Sequence, residues 1–399
     1  DVLGSRGLGD VYKRQMKKIA ICIWGAISGT ILLSHCTFSD KGVRKIDQQG
    51  DKLYVCVHHE VKDSVVIPLS ELVKEVHIVK LDTAKEALIG GGEVVISENY
   101  IGIKPWGSEP FKLYDKRGKF LRNIGQIGRG PGEYLNLYCM QLDEKNDRIY
   151  LLPWQTRRLL RFDFEGNALE PVRLVTGLPK GKFFVREDKL VAAALPFKGM
   201  QGYFVFQQTL EGKLVGGIPL ENYAIPPDYS NEIYGNYQNN QFGVYIFQFF
   251  HPEQDTLYYY NMTDNRLIPA FTVDFGTAAV PMHSLGEFSH YYYVETMEAV
   301  PYKGGMVTDN YKYIAVDKER GTARYFRVEN DFWGGLKVSV SDLVNGIFVQ
   351  NYPAIVLKEE LENIRQKKDL KPEVLRKIDN LLAGLSEEDN NVIMWGEFK

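Results

Sequence analysis

Three segments of this 399-residue chain run into the same kind of turn at nearly constant spacing. They are Phe111-Lys-Leu-Tyr-Asp115-Lys-Arg-Gly118, Leu160-Arg-Phe-Asp163-Phe-Glu-Gly166 and Phe206-Gln-Gln-Thr-Leu-Glu211-Gly212, with closing glycines 48 and 46 residues apart. In each, an alternating strand meets an acidic or polar turn closed by a glycine, which can take the positive φ the turn needs. Degenerate copies follow at Tyr258–Asn265 and Asp317–Gly321. A repeat of roughly 40 to 50 residues filled with short strands is the signature of propeller blades.

Strand and turn patterns fill in the units. One runs Tyr138-Cys-Met-Gln-Leu, Arg148-Ile-Tyr-Leu-Leu152, Leu159-Leu-Arg-Phe and an outer strand near Val172. Four antiparallel strands per unit is blade topology. The same order fits residues 94–124 and 183–215. Five turns leave one unit over, and Lys52–Val57 with Asn391–Trp395 are expected to supply it, closing the ring with strands from opposite termini. The expected fold class is therefore all-β, a six-bladed β-propeller over residues 51–399. Residues 357–384 break the pattern. Leu357, Leu361 and Ile364, then Leu375, Ile378 and Leu382, lie at helical spacing, with Pro372 suited to a first turn and Gly384 to a C-cap. They predict a helical insertion in the last blade.

The N-terminal region reads as targeting sequence. Residues 1–15 resemble the conceptual translation of a transposon-based sequencing adapter, which places the expected natural start at Met16. Lys17-Lys18 and the uncharged run Ile19–Leu33 have the layout of an export signal over residues 16–35. Leu33-Ser34-His35-Cys36 resembles a bacterial lipobox, in which Cys36 is acylated and becomes the mature N-terminus; His35 departs from the small residue usual there. Residues 36–50 then form a linker, and Ser39-Asp40 resembles a surface-export signal. The expected location is the cell envelope, as an outer-membrane lipoprotein that is periplasmic or surface-exposed and held to the membrane by its lipid.

Residues 1–35 hold five of the 48 basic and two of the 51 acidic side chains, so removing them takes the net charge from −3 to −6. That argues against nucleic acid, which needs a basic face. Cys56 and Cys139, the cysteines left beyond Cys36, make no disulfide framework. Neither Cys-x-x-Cys nor His-Glu-x-x-His occurs, and a sialidase Asp-box, a Gly-x-Ser-x-Gly elbow and a P-loop are likewise absent.

Ile124-Gly-Gln-Ile-Gly-Arg129-Gly-Pro-Gly-Glu133-Tyr134 resembles the Gly-Arg-Gly-Pro-Gly-Glu-Tyr signature of six-bladed β-propeller lipoproteins of Bacteroidetes, a family of unknown function distantly similar to NHL-repeat proteins. Asp115–Leu121 and Leu385–Val392 match that family's lead-in and closing segments, although a proline commonly stands at the place of Asn391. The resemblance implies the fold and an envelope location, and no reaction. Physically, the three glycines permit a sharp crossing between blades, stiffened by Pro131. Arg129 and Glu133 are positioned to pair across it, and Tyr134 to cover it. The loop is also expected on a propeller face, where it would line a ligand mouth.

Ligand candidates are therefore Arg129, Glu133 and Tyr134, the turn residues Trp154 and Arg157, and Tyr234 and Tyr237. The last two stand in an aromatic stretch, Tyr223–Phe250, interleaved with Asn236, Gln238, Asn239 and Asn240. Aromatic faces beside amides suit sugar rings or peptide side chains, although Tyr and Phe also simply pack blades. For a channel metal, His58, His59, His251, His283, His290, Asp143 and Asp309 are the available ligands. None shows a ligand spacing, and neighbours on a strand point apart. No cofactor is expected, a channel calcium being the one left open. The functional expectation is a binding module for a glycan or an envelope protein, with a propeller hydrolase or lyase as the alternative.

Overall fold

The computed structural model describes residues 42–399 apart from 49, 239, 240, 277, 278 and 304; the adapter-like segment, the signal and Cys36 lie outside the described residues. Blade 1 comprises Gly92–Ile96, Tyr100–Pro105, Phe111–Asp115 and Phe120–Ile124, and blade 2 Leu137–Asp143, Arg148–Pro153, Thr156–Phe162 and Ala168–Leu178. Blade 3 comprises Gly181–Arg186, Lys189–Ala194, Tyr203–Thr209 and Leu214–Pro219. Blades 4 and 5 begin at Glu232–Gln238 and Met282–Phe288 and end at Arg266–Asp274 and Thr322–Asn330, each with added outer strands. Blade 6 is Leu343–Val344, Ile347–Tyr352, Val392–Glu397 and His77–Lys80.

The repeat of the turns follows from this order. Gly118, Gly166, Gly212, Asn265 and Gly321 each join the third strand of a blade to its fourth, and all have positive φ, between 50° and 88°. Blade 6 has no such hairpin, because its third strand comes from the C-terminal end of the chain and its fourth from the N-terminal part. The expected partner for Val392–Glu397 was Lys52–Val57; the strand found there is His77–Lys80, through pairs such as Ile393↔Val79. Asp51–Val57 instead runs parallel to Arg266–Asp274 on the rim of blade 4. A one-strand match to the period carries no register, so sequence alone does not choose between these edges. The linker expected over residues 36–50 contains a further rim strand, Val43–Gln48.

Each blade is apolar on both faces and packs against its neighbours, giving six core clusters for six interfaces. Between blades 6 and 1, for example, Val79, Ile393 and Trp395 meet Ile101, Ile103 and Tyr114. All six lie within residues 42–399, so the ring is complete without the segment before it. Buried Asn390 clasps the closure: its amide donates to Asp82 O (2.8 Å) and Ala87 O (2.9 Å) and its carbonyl accepts from Ile89 N (3.2 Å).

The helical insertion is Ala354–Arg365 and Pro372–Ala383, between the second and third strands of blade 6. Leu357, Leu361 and Ile364 are buried as the spacing predicts, Pro372 opens the second helix and Gly384 is its C-cap. In that second helix Val374 and Ile378 carry the burial, while Leu375 and Leu382 are half-exposed.

Candidate functional site

Antiparallel order sorts the loops. Links from strand 2 to 3, and from one blade to the next, emerge on one face of the ring; strand 1–2 and 3–4 turns emerge on the other. The Gly-Arg-Gly-Pro-Gly-Glu-Tyr segment is the link from blade 1 to blade 2, so it shares a face with the strand 2–3 loops of both. Together they enclose a cleft of about 310 Å³ lined by residues that include Lys104, Trp106, Glu109, Tyr134, Asn136 and Trp154.

Within the link, two short strands, Gln126–Ile127 and Glu133–Tyr134, pair in parallel. Glu133 curls back so that its Oε2 accepts from Gly130 N (2.7 Å). A Cβ at Gly128 would stand 2.0 Å from that oxygen, so a larger residue there would displace the Glu133 carboxylate from its bond to Gly130 N. The expected Arg129–Glu133 pair does not form: the backbone amide satisfies the carboxylate, and Arg129 stays exposed with no ion pair among the described residues. Tyr134 does cover the crossing. It is buried, its hydroxyl donates to Ile124 O and accepts from Phe111 N (both 2.7 Å), and burial pushes its pKa up to about 12. Both functions of that hydroxyl are taken, so it offers the cleft only a ring.

The walls are two tryptophans. Trp106, 71% exposed, sits in the strand 2–3 loop of blade 1 and packs over Gly91, where an added Cβ would meet its ring at 2.8 Å. Trp154, 41% exposed, occupies the matching turn of blade 2 and is fixed by donating its backbone N–H to Asn136 O (3.0 Å). Its ring meets Tyr229 edge-on at 6.0 Å, and Tyr229 in turn meets Phe197 at 5.1 Å. Lys104 is held by Glu93 and Lys112 by Glu109 at 3.5 Å, so the charges that line the cleft itself, Lys104 and Glu109, are paired.

Tyr134 and Trp154 thus meet in one cleft, with Arg129 and Glu133 in its adjoining loop. Arg157, exposed, follows Trp154 on the next strand, its guanidinium against Gly177. Tyr234 and Tyr237 lie elsewhere, on the inner strand of blade 4, three residues apart and so on opposite faces. Tyr237 stacks on Phe184 at 3.7 Å and accepts from Arg186 (2.7 Å), toward the face opposite the cleft, where Asn345 bonds both Asn236 and Tyr237. Tyr234 keeps 42% of its surface exposed, but its hydroxyl end is desolvated, and this together with the charges of Glu295 and Glu232 raises its pKa. Glu232 itself takes Lys180 and the Tyr138 hydroxyl, which raises the pKa of Tyr138 by burial first and that carboxylate second.

The metal candidates do not converge. His283 is buried, with its Nδ1 2.8 Å from Pro281 O, His290 lies 3.9 Å from Glu71, and Asp143 caps a turn through Asn146 N. Among the described residues no three His, Cys, Asp or Glu side chains gather as a cation site. Trp106 was missed by sequence reasoning; its signal was a tryptophan within Pro105-Trp-Gly-Ser-Glu-Pro110, a turn-rich break between two strands.

Comparison with solved structures finds similarity to a Bacteroides fragilis protein named as exported, at 16% identity over 84% of this chain and 99% of that one, with TM-score 0.55. A member of the DUF4221 family from Bacteroides vulgatus is similar at 12% identity over 82% and 98%, with TM-score 0.46. No curated protein matches. Residues 55–397 match a domain of unknown function, DUF4934, and the chain belongs to that family.

Proposed function

We propose that this protein is a lipid-anchored binding module of the cell envelope that takes a carbohydrate chain in the cleft between blades 1 and 2. The observation that carries the reading is the pair of exposed tryptophans, Trp106 and Trp154, on either side of a cleft of about 310 Å³. Large exposed aromatic faces are costly in water, and their flat rings suit the apolar faces of sugars. The paired charges and the occupied Tyr134 hydroxyl leave stacking as the main source of affinity. The exported name of the similar Bacteroides fragilis protein and the lipobox-like Cys36 support the envelope location.

A thermal-shift screen of residues 37–399 against oligosaccharides, with and without EDTA and calcium, tests this. A ligand at 100 times its Kd adds roughly 2.7 kcal/mol. Trp154→Ala should abolish the shift while leaving the unliganded Tm near wild type; a shift that survives both Trp106→Ala and Trp154→Ala refutes the cleft.

A second reading, a channel hydrolase or lyase, rests on Glu295. Burial pushes its carboxyl up, against a hydrogen bond with Tyr313, and it pairs in register with Ser284 beside Tyr234. Glu295→Gln would then stop product formation from any bound glycan and leave binding intact.

A further inference from the structure

Blade 5 carries a hairpin that outgrows its sheet. Tyr291–Tyr302 and Gly305–Asp317 pair along their length, but the next strand pairs only with Ile314–Asp317. Beyond Thr296↔Lys312 five more pairs, from Glu298↔Asp309 to Tyr302↔Gly305, continue as a two-stranded ribbon about 17 Å long. Such a ribbon is marginal alone in water. It nevertheless exposes Tyr302, Met306, Val307 and Tyr311, at 54%, 44%, 39% and 43%. As a strand 2–3 connection, it leaves the ring on the face that holds the cleft.

The described chain enters beside this hairpin. Gly42 O accepts from Val57 N (2.9 Å), and the next residue, His58, lies 5.2 Å from Phe275 in the link between blades 4 and 5. Phe275 lies 5.0 Å from His283 on the first strand of blade 5, and the charge of Lys312 at the ribbon's root reaches His58. Cys36 precedes Gly42 by six residues, a reach of at most about 20 Å. An acyl chain on Cys36 would hold the ribbon's side of the ring against the membrane.

We propose that the tip of this ribbon, Val300, Pro301, Tyr302, Lys303, Met306 and Val307, docks into the lipid surface that carries the acylated Cys36. Its chemistry fits the boundary between headgroups and acyl chains: apolar side chains to bury, a tyrosine with a polar end, and a lysine able to snorkel outward. Lys303 Nζ stands 5.1 Å over the Tyr302 ring. The acidic pair Glu298↔Asp309 marks the water line. The three pairs beyond Ala299↔Thr308 span about 10 Å, which matches the 5–10 Å depth of interfacial segments. Blade 2 stands opposite blade 5 in a six-membered ring, so the ribbon would hold the Trp106–Trp154 cleft off the surface and open to ligand.

The proposal rests on acylation of Cys36, and the test separates the two. The full acylated chain, as Met306→Cys in a Cys139→Ser background, is labelled with an environment-sensitive fluorophore and reconstituted into vesicles of phosphatidylethanolamine and phosphatidylglycerol. Nitroxides on the acyl chains should quench this label and leave one at Lys145→Cys, in a turn on the opposite face, untouched. Equal failure to quench at both positions overturns the docking. In parallel, unacylated residues 37–399 should partition onto the same vesicles, and Tyr302→Ser/Met306→Ser/Val307→Ser should lower that partition roughly tenfold with Tm unchanged. Mass spectrometry of Cys36 reads the anchor alone. An unmodified cysteine with partition retained removes the anchor and supports the ribbon; partition unaffected by the triple substitution overturns the ribbon.

Discussion

Tyr134 and Asp255 each tie a single side chain to a measurable stability. The Tyr134 hydroxyl serves one buried carbonyl and one buried amide, on two different strands. Tyr134→Phe leaves the Phe111 N–H without an acceptor and should cost about 1–3 kcal/mol in urea denaturation, with the fold intact. Asp255 is pushed up to about 7, chiefly by burial and further by the Glu253 charge, against donation from Thr256 N (2.7 Å). Its folded pKa lies above the unfolded value near 3.9, so the folded state holds the proton more tightly. This contribution is complete below pH ~4 and is lost as pH rises through ~7. Asp255→Asn should therefore match wild type near pH 4 and melt higher at pH 8; an equal Tm difference at both values would show that Asp255 does not titrate this way. At this scale sequence was a partial guide to the site. The Gly-Arg-Gly-Pro-Gly-Glu-Tyr segment announced a crossing. That Glu133 turns onto Gly130 N rather than Arg129 depends on a 2.7 Å contact that no spacing encodes.

At the scale of elements, the recurring turn is where sequence and structure agree most closely, because a positive φ restricts which residues a position accepts. The same conformation does not carry the same cost everywhere. A Cβ on Gly166 would make ordinary van der Waals contacts, none closer than the flexible Arg122 side chain at 3.4 Å, whereas on Gly118 it would stand 2.1 Å from the backbone Lys80 O. Gly166→Ala should cost about 1–2 kcal/mol, from the left-handed conformation alone. Gly118→Ala should cost more, since it also pushes the last strand of blade 6 away; calorimetry of the two variants under one condition checks the order. The two helices were legible for the same kind of reason: Leu357, Leu361 and Ile364 sit at a spacing that a strand cannot use. The rim strand Asp51–Val57 was not placed, since its parallel partner Arg266–Asp274 lies more than 200 residues away and pairing leaves little trace in composition; Val43–Gln48, which pairs only with Asp51–Val57, went with it.

Over the whole molecule, closure decides whether the ring exists. Val392–Glu397 has its outer partner only in His77–Lys80, and the Asn390 clasp ties the same region to residues 82–89. A chain starting after residue 82 should expose that edge and elute as aggregate in size-exclusion chromatography, while one starting at residue 37 should stay monodisperse. The period of the turns revealed five of the six blades, and the sixth was inferred from ring closure. The period did not reveal the cleft, which forms only when loops of two blades and their link meet on one face.

The most direct test of the cleft as a carbohydrate site is acrylamide quenching of tryptophan fluorescence, with and without a saturating oligosaccharide from the thermal screen. In residues 37–399 the tryptophans are Trp106, Trp154, Trp333 and Trp395, the last two only 9% exposed, so quenching reports chiefly on the cleft walls. Bound ligand should shield Trp106 and Trp154 and cut the quenching constant by roughly half or more. An unchanged constant at a concentration that still raises the Tm would place the ligand elsewhere and contradict the assignment.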